Sequence, residues 1–388
     1  MPVRPLSYLL ITHSYPPVLG GSEIEAQRIS VALQERGYKV KVLCVGGDPM
    51  PPVSHWVDPC GINVQLFGRR WPAAWRGRIF ALGVAWTLFR ERRNYDIAYF
   101  LMHGLQLVTG LPVAGVLKKK IVMKFSGSGL VTELSGSLAG RLTLRFLRRW
   151  ANSILVLNSG MREEAEQAGL DPRRIGWMPN PVDTDFFRPV SDLDRIPLRR
   201  ELNLPIESPV VVYVGRLDAQ KGLPWLIGGF SKAVGQRPDA KLILVGDGPL
   251  RPQIEESVRQ LGLEGNVIFT GRVDSAGVLR WLQASDIFAL TSAAEGLPCS
   301  LIEAMSTGLA SLVSNIPGHV QLVDHEVHGL LTETANEDSI AHCLVRLMDD
   351  APLRARMGIA ARRRMIEQFS TSQVVNCYED LFASVMAS

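Results

Sequence analysis

One unit, repeated down the second half of the chain, most constrains how it can fold. A short run of β-branched and aliphatic residues ends each time on glycine or small polar residues. The copies are VVVYVGRL (210–217), KLILVGDGP (241–249), NVIFTGRV (266–273) and DIFALTS (286–292). Helical stretches at 251–262, 275–284 and 298–308 alternate with them. Strands that alternate with helices predict a parallel sheet covered by helices on both faces. Ligands of such sheets bind outside the carboxyl ends of the strands, and each of these turns lies at such an end.

Two of those turns carry charge in a suggestive pattern. Arg216 and Lys221 follow the first strand in GRLDAQKG, and Glu295 and Glu303 follow the fourth in TSAAEGLPCSLIEAMSTG. The run Thr291–Ala294 delivers Glu295 to a turn at Gly296-Leu297-Pro298. The apolar residues Leu301, Ile302, Ala304 and Met305 then predict a helix ending near Gly308. Pro298 is expected in the first helical turn, where its missing N–H costs nothing, and Glu303 about two turns in. The free amides of a helix start, near Gly296–Ser300, make an anion site between two carboxylates suited to sugar hydroxyls. An ordinary capped surface helix has the same spacing, so the pair alone does not decide function.

The first half follows the same plan less regularly. Residues 7–12, 39–45, 97–102, 121–125 and 154–157 read as strands, and 23–36 as the first long helix, ending at Gly37. Gly20 and Gly21 fall between the first strand and that helix, where a bare backbone can approach a sugar or phosphate. Residues 97–117 carry no formal charge, a length near that of a membrane span. His103, Gly104, Gln106, Gly110 and Pro112 argue instead for a strand, a turn and a helix running to Lys120. The N-terminal apolar stretch lacks a cleavage pattern and reads as a strand, not a signal peptide. A chain of 388 residues accommodates two domains. Apolar periodicity gives way between 179 and 189 to Pro179, Pro181, Pro189, Asp183 and Asp185, which marks the boundary. The expected division is 1–185, 186–368 and a helical closing segment, 369–388.

Charge separates the halves. Residues 1–150 hold 20 Lys and Arg against 8 Asp and Glu, a net +12. The remaining 22 against 30 give −8, which together return the +4 of the whole chain. The basic excess is clustered in 68–80, 90–93, 118–124 and 141–150. In the last of these Arg141, Arg145 and Arg148 share a helical face beside Leu142, Phe146 and Trp150. That pattern predicts an anionic membrane surface as a partner. Solvated arginines over a core helix are the alternative, and no motif supports nucleic acid. The five cysteines have neither paired nor metal-type spacing, which fits reduced thiols in a cytoplasmic protein, and the basic clusters add the expectation of a peripheral place on the inner face of the membrane.

Taken in order, Gly20-Gly21, PNPVD (179–183) with Phe187 and Pro189, VGRLDAQKG, LVGDGP and the Glu295/Glu303 block resemble the retaining glycosyltransferase family 4, of GT-B architecture. The resemblance implies two Rossmann-like parallel-sheet α/β domains facing across a cleft. The first would bind a glycan or lipid-linked acceptor and the second a nucleotide-sugar donor, and the closing helix would return to the first. It implies that Glu303 holds the ribose hydroxyls and Glu295 the donor sugar. Arg216 and Lys221 would stabilise the leaving diphosphate, without metal or other cofactor. The donor would also meet Gly20, Gly21, Gly215, Gly246, Gly271, Arg272, Val273, Gly296, Leu297, Pro298 and Ser300. The catalytic set becomes Glu295, Arg216, Lys221 and Ser126.

Three departures stand out. Ser126 occupies the place where relatives often carry His, with His103 the nearest polar alternative. Gln321 replaces Glu in Pro317-Gly318-His319-Val320-Gln321, and Ala310 replaces the proline of a Gly-x-Pro. These changes admit an alternative: a catalytically weak nucleotide-sugar-binding scaffold or partner subunit. A nicotinamide dehydrogenase is excluded by the lack of Gly-x-Gly-x-x-Gly after the first strand; a glycan phosphorylase or an epimerase would share the architecture, and the Glu spacing disfavours the epimerase.

Overall fold

The structure, a computed structural model, describes residues 5–387 other than Leu19 and Pro52. Ser388, the end of the expected closing helix, and residues 1–4 of the expected first domain lie outside the described residues. The chain divides into two compact units. One runs up to Pro181 and resumes at Thr371, and the other is Val182–Ser370. The division thus follows Pro181, whereas the sequence placed it after Asp185.

The first unit is built on an eight-stranded sheet. Its strands are β1 (Ser7–Ile11), β2 (Lys39–Val45), β3 (His55–Val57), β4 (Asn63–Phe67), β5 (Ile97–Leu101), β6 (Lys120–Lys124), β7 (Ser153–Val156) and β8 (Ile175–Trp177), in the order β3-β4-β2-β1-β5-β6-β7-β8. Only the β3–β4 edge pair is antiparallel. The connecting helices are α1 (Gly21–Glu35), α2 (Ala73–Arg90), α3 (Leu105–Val116), α4 (Leu130–Ser135), α5 (Leu138–Trp150) and α6 (Ser159–Gln167). β1 and β5 are buried along their whole length, as strands covered on both faces must be.

The second unit carries a six-stranded sheet, β11-β10-β9-β12-β13-β14, with every pair parallel. It runs α7 (Asp192–Glu201), β9 (Val210–Val214), α8 (Leu223–Val234), β10 (Lys241–Val245), α9 (Arg251–Gln260), β11 (Val267–Gly271), α10 (Ser275–Ala284) and β12 (Ile287–Leu290). There follow α11 (Cys299–Ser306), β13 (Ala310–Ser314), the short α12 (Pro317–Val320), β14 (Gly329–Thr332), α13 (Glu337–Asp349) and α14 (Ala351–Arg364). Helix starts are fixed by short polar side chains: Asn158 Oδ1 accepts from Met161 N–H at 2.9 Å, and Asp274 Oδ1 from Gly277 N–H at 2.8 Å.

The last helix, α15 (Thr371–Ala387), belongs to the first unit. Val374, Val375, Tyr378 and Phe382 are buried in its core, and the Tyr378 hydroxyl lies 2.8 Å from that of Tyr99 on β5. Beneath them lies a buried ion pair between Lys124 of β6 and Glu25 of α1. Lys124 Nζ also donates to Asn180 Oδ1 at 3.2 Å and to the Pro179 carbonyl at 3.4 Å. The Pro-Asn-Pro segment is therefore held by the same ammonium. Burial raises the Glu25 carboxyl, although Lys124 opposes that shift. Beyond Pro181 the chain is anchored in the second unit. There Arg362 of α14 donates to the carbonyls of Thr184, at 3.1 Å, and Phe187, at 3.0 Å.

Several expected boundaries moved. Gly21 is the first residue of α1 rather than part of the preceding turn, and α3 stops at Val116 because the chain must reach β6 at Lys120. No helix among the described residues is long and apolar enough to cross a membrane.

Breaking the buried pair on one side strands a charge away from water, which costs about 3–5 kcal/mol. Lys124→Met and Glu25→Leu are each expected to destabilise the first unit by that order in denaturant unfolding. The double variant Lys124→Met/Glu25→Leu should lose clearly less than either. Additive losses would show that the pair does not act as a unit.

Candidate active site

In the second sheet the strand order reverses between β9 and β12. Connections from β9 lead one way, to β10 and β11, and connections from β12 lead the other, to β13 and β14. A crevice opens at such a switch point, outside the carboxyl ends of the two central strands. The loops bordering it are those that hold Arg216–Lys221 and Thr291–Pro298.

The two loops are stitched together. Ala293 N–H donates to the Gln220 carbonyl at 2.8 Å, Gln220 Nε2 to the Ala294 carbonyl at 2.7 Å, and Thr291 Oγ1 to the Gly222 carbonyl at 3.0 Å. Gly222 has a φ of 64°, and a Cβ there would stand 2.1 Å from the Thr291 carbonyl oxygen. Only glycine allows both the left-handed turn and this approach. Across the seam Lys221 Nζ meets Glu295 Oε1 at 2.6 Å, and the same oxygen accepts from Ser292 Oγ at 2.7 Å. Glu295 is buried and the Lys221 side chain is only 21 % exposed, so this ion pair is shielded. Arg216 is exposed, with Nε 3.2 Å from Asp218 Oδ2, and its carbonyl accepts from Tyr213 OH at 2.8 Å.

Glu303 is also buried, on α11. The helix begins at Cys299, with Pro298 as an extended N-cap at φ −71° and ψ 116°. Pro298 is therefore outside the first turn, and Glu303 lies one turn into the helix instead of two. The cause is ψ at Pro298, which holds the chain extended until after the proline. Both corrections bring Glu303 nearer to the amide end of the helix. Ser300, in its first turn, is partly exposed.

The remaining donor-loop positions form a row on the same edge. Gly215 N–H donates to the Val245 carbonyl at 3.0 Å, and Gly246 N–H to the Gly271 carbonyl at 2.9 Å. A Cβ on Gly246 would stand 1.9 Å from the Gly215 carbonyl. Arg272 is exposed beyond that row and Val273 half-buried.

His319 emerges only from the structure. It is fully buried on α12, its Nδ1 is 2.9 Å from the Ser314 carbonyl, and Ser314 Oγ donates to the Ser292 carbonyl at 2.5 Å. A carbonyl only accepts, so Nδ1 carries the proton and Nε2 is a bare acceptor. Nε2 has no partner among the described residues. Burial pushes His319 down to about 4, with Glu295 opposing and Lys221 reinforcing that shift. Gly318 beside it packs on the Glu295 and Gly296 carbonyls, which a Cβ would approach to 2.5 and 2.8 Å. Gln321 caps the end of this short helix, and its carbonyl accepts from Arg364 at 3.2 Å.

The first sheet has its own switch point, between β1 and β5. Gly20 is the extended N-cap of α1 there. His13 follows β1 and His103 follows β5; burial lowers His13, and neighbouring His103 lowers it further while Glu23 opposes. Met102 takes a φ of 73°, uncommon for a side chain of its size, and Gly104 one of 146°. Ser126 lies one strand farther out, after β6, and is half-buried. A cleft of about 690 Å³ lined by Lys118, Lys120, Arg149 and Trp150 is at the opposite, amino edge of β6 and β7.

Of the expected membrane-facing residues, Arg141 and Arg145 are exposed. Arg148 is exposed as well, although it donates to the Ala168 carbonyl at the end of α6, and the half-buried Trp150 ring lies over Gly115 of α3.

Comparison with known proteins agrees with this arrangement. The family model described as "Glycosyl transferases group 1" matches residues 194–364, and that described as "Glycosyltransferase Family 4" matches 19–186. A GDP-mannose-dependent monoacylated α-(1-6)-phosphatidylinositol monomannoside mannosyltransferase of Corynebacterium glutamicum is 30% identical over 377 residues, covering 93% of this chain and 94% of that protein. An Escherichia coli UDP-Gal:α-D-GlcNAc-diphosphoundecaprenol α-1,3-galactosyltransferase is 33% identical over 225 residues, covering 56% of each. The crystal structure of Anabaena HepE in complex with UDP and glucose superposes with a TM-score of 0.81 at 22% identity, covering 98% of this chain and 100% of that one.

His319 makes the second unit sensitive to acid. Its folded pKa lies below the unfolded 6.5, so the unfolded chain binds the proton first. Stability should be full above about pH 6.5, fall as pH drops toward 4, and level off below that. The loss amounts to roughly 3 kcal/mol, and His319→Gln should flatten this segment of the profile. An unchanged slope in the variant, read by thermal unfolding across that range, would contradict the assignment.

Proposed function

The chain belongs to the group 1, family 4 glycosyltransferases, and from that premise we propose that it moves a sugar from a nucleotide-sugar donor to a glycan or lipid-linked acceptor with retention of anomeric configuration. The observation that carries this reading is the Lys221–Glu295 clamp at the switch point of the second sheet. It sets one ammonium and one carboxylate beside the amide end of a helix that also bears Glu303.

A nucleoside diphosphate leaves with two developing negative charges. Lys221, Arg216 and the amides near Gly296–Ser300 supply the positive field for it, with no metal required. Glu303, acceptor-only when ionised, takes two vicinal hydroxyls of the ribose. Glu295 accepts from the donor sugar while holding Lys221 in place. Gly215, Gly246 and Gly271 keep the backbone low enough for the nucleotide to lie along the sheet edge, with Arg272 and Val273 at its end. Ser126, after β6 in the first unit, keeps a hydroxyl where relatives often carry histidine, and it cannot act as an acid or base as a histidine would. Gly20 and Gly21 open α1 toward the ligand in the first unit.

Two findings support a nucleotide sugar in particular. HepE is crystallised with UDP and glucose, and the Corynebacterium relative is GDP-mannose-dependent. That relative and the Escherichia coli enzyme both act on lipid-borne acceptors by name, which supports a lipid-linked acceptor met at a membrane surface.

Calorimetric titration with UDP, GDP and ADP tests the donor site. One nucleotide should bind, and Glu303→Ala should abolish that binding. Lys221→Ala and Arg216→Ala should each lower turnover by about a hundredfold or more. Chelation of divalent metal should leave turnover unchanged. Undiminished turnover in any of these three variants would overturn the site, and absence of binding by all three nucleotides would favour the scaffold alternative.

A further inference from the structure

We propose that the outward face of α2 is a bilayer-contact surface that lies flat on anionic lipid. The inference deepens the reading of a membrane-borne acceptor and does not depend on the donor assignment. α2 is apolar on two opposite sides. Phe80, Ala81, Val84, Thr87 and Leu88 are buried toward the unit. That side is seated by Thr109 Oγ1, which donates to the Ala81 carbonyl at 2.6 Å, and by Phe67 against Gly83. Trp75, Ile79, Leu82, Trp86 and Phe89 lie on the other side. At about 100° per residue they fall within a sector of roughly 80°, diametrically opposed to the buried side.

This outer stripe has no cover among the described residues. Trp75, Leu82, Trp86 and Phe89, with Trp71 just before the helix, are between 49 and 63% exposed. A water-facing helix side is normally polar, and an apolar stripe of this length marks an interaction surface.

Charge selects the partner. Segment 69–93 holds Arg69, Arg70, Arg76, Arg78, Arg90, Arg92 and Arg93 against Glu91, which already pairs with Lys41 at 2.6 Å. Arg78 and Arg90 flank the stripe on its two sides, and neither pairs with a carboxylate among the described residues. The Arg78 guanidinium is 4.9 Å from the Trp75 ring centroid and that of Arg92 4.8 Å from Phe89. Lys119 extends the basic margin: its Nζ donates to the Tyr95 carbonyl at 2.6 Å, just past the helix end. Tryptophans at headgroup depth between arginines that reach lipid phosphates suit a helix in the interface plane. Three arginines, at 76, 78 and 90, rule out burial of this helix in hydrocarbon. We place the contact surface on α2 rather than α5, whose Trp150 ring packs over Gly115.

Sedimentation with vesicles tests this. The full chain should bind phosphatidylglycerol/phosphatidylcholine vesicles at low salt, and far less well to phosphatidylcholine alone or in about 0.5 M salt. Leu82→Glu/Trp86→Glu should weaken that binding by about tenfold or more, with the thermal unfolding midpoint retained because both positions are exposed. Arg78→Glu/Arg90→Glu should remove the preference for anionic lipid, and Arg141→Glu/Arg145→Glu should change binding little. Wild-type emission should shift to the blue on binding and be quenched by brominated lipid. Failure of the wild type to bind anionic vesicles would overturn the proposal, as would full binding by Leu82→Glu/Trp86→Glu. A dimer that this double variant converts to monomer, without vesicle binding by either, would overturn it in favour of a protein interface.

Discussion

Parallel strand direction is the constraint on which the rest of this protein depends. A sheet whose strands all run one way delivers every following loop to the same edge, so turns remote in sequence become neighbours. Lys221 and Glu295 are 74 positions apart in the chain and 2.6 Å apart in space for this reason. Strand order then decides which loops are parted by a crevice. The reversal between β9 and β12 leaves no helix packed across the carboxyl end at that point, and the clamp stands there.

The clamp also bears on how the proposed anion site would tolerate an acid at its centre. An ammonium held by long rotatable bonds loses entropy when it binds a phosphate. Glu295, itself fixed by Ser292, orders Lys221 in advance, so part of that loss falls on folding. The arrangement costs desolvation of both groups, which the partial exposure of Lys221 limits. The buried His319 follows from the same crowding. Its ring fills the space under the Glu295 loop, and its neutral form adds no charge to a site whose balance is already set by two cations and two carboxylates.

Much of this was legible in the sequence because glycine and β-branched runs report backbone geometry directly. The four strands of the second half are legible in their apolar runs, three of which lead into glycine, and the structure places Arg216, Lys221 and Glu295 on the loops that follow β9 and β12 and Glu303 on the helix after β12. β13 and β14 were not among the expected strands: they match β9 and β12 in length, but ASLVS and GLLT each carry a single β-branched residue against four in VVVYV. The start of α11 was misplaced because proline is compatible with both N-cap and first turn, and only ψ separates them. His319 was invisible as a site residue: nothing in Pro317-Gly318-His319 reveals that Ser314 will turn its carbonyl onto Nδ1. Charge clustering is visible in the sequence on both α2 and α5, but not which helix face stays uncovered. Sequence shows the periodicity of a helix face, whereas which face is covered depends on the tertiary neighbours, here Gly115 for Trp150.

The position of α2 within the first unit links its outer stripe to the chemistry. β4 runs parallel to β2 and β1, so its last residue, Phe67, ends at the same edge as the loop that carries Gly20. α2 starts from that edge and runs back along the sheet. Its first exposed aromatics, Trp71 and Trp75, therefore stand at the level of the carboxyl-edge loops, and Phe89 stands toward the amino edge. A bilayer that touched only Phe89 and the basic amino margin would leave those loops far from lipid. One that engaged the whole stripe, as proposed, would bring the headgroup plane to the level of the carboxyl-edge loops. An acceptor whose sugar is tethered to lipid through a diphosphate or an inositol phosphate extends only a short way above that plane. It can reach the carboxyl edge only if that edge is presented near the surface, which an α2 lying flat as proposed would accomplish.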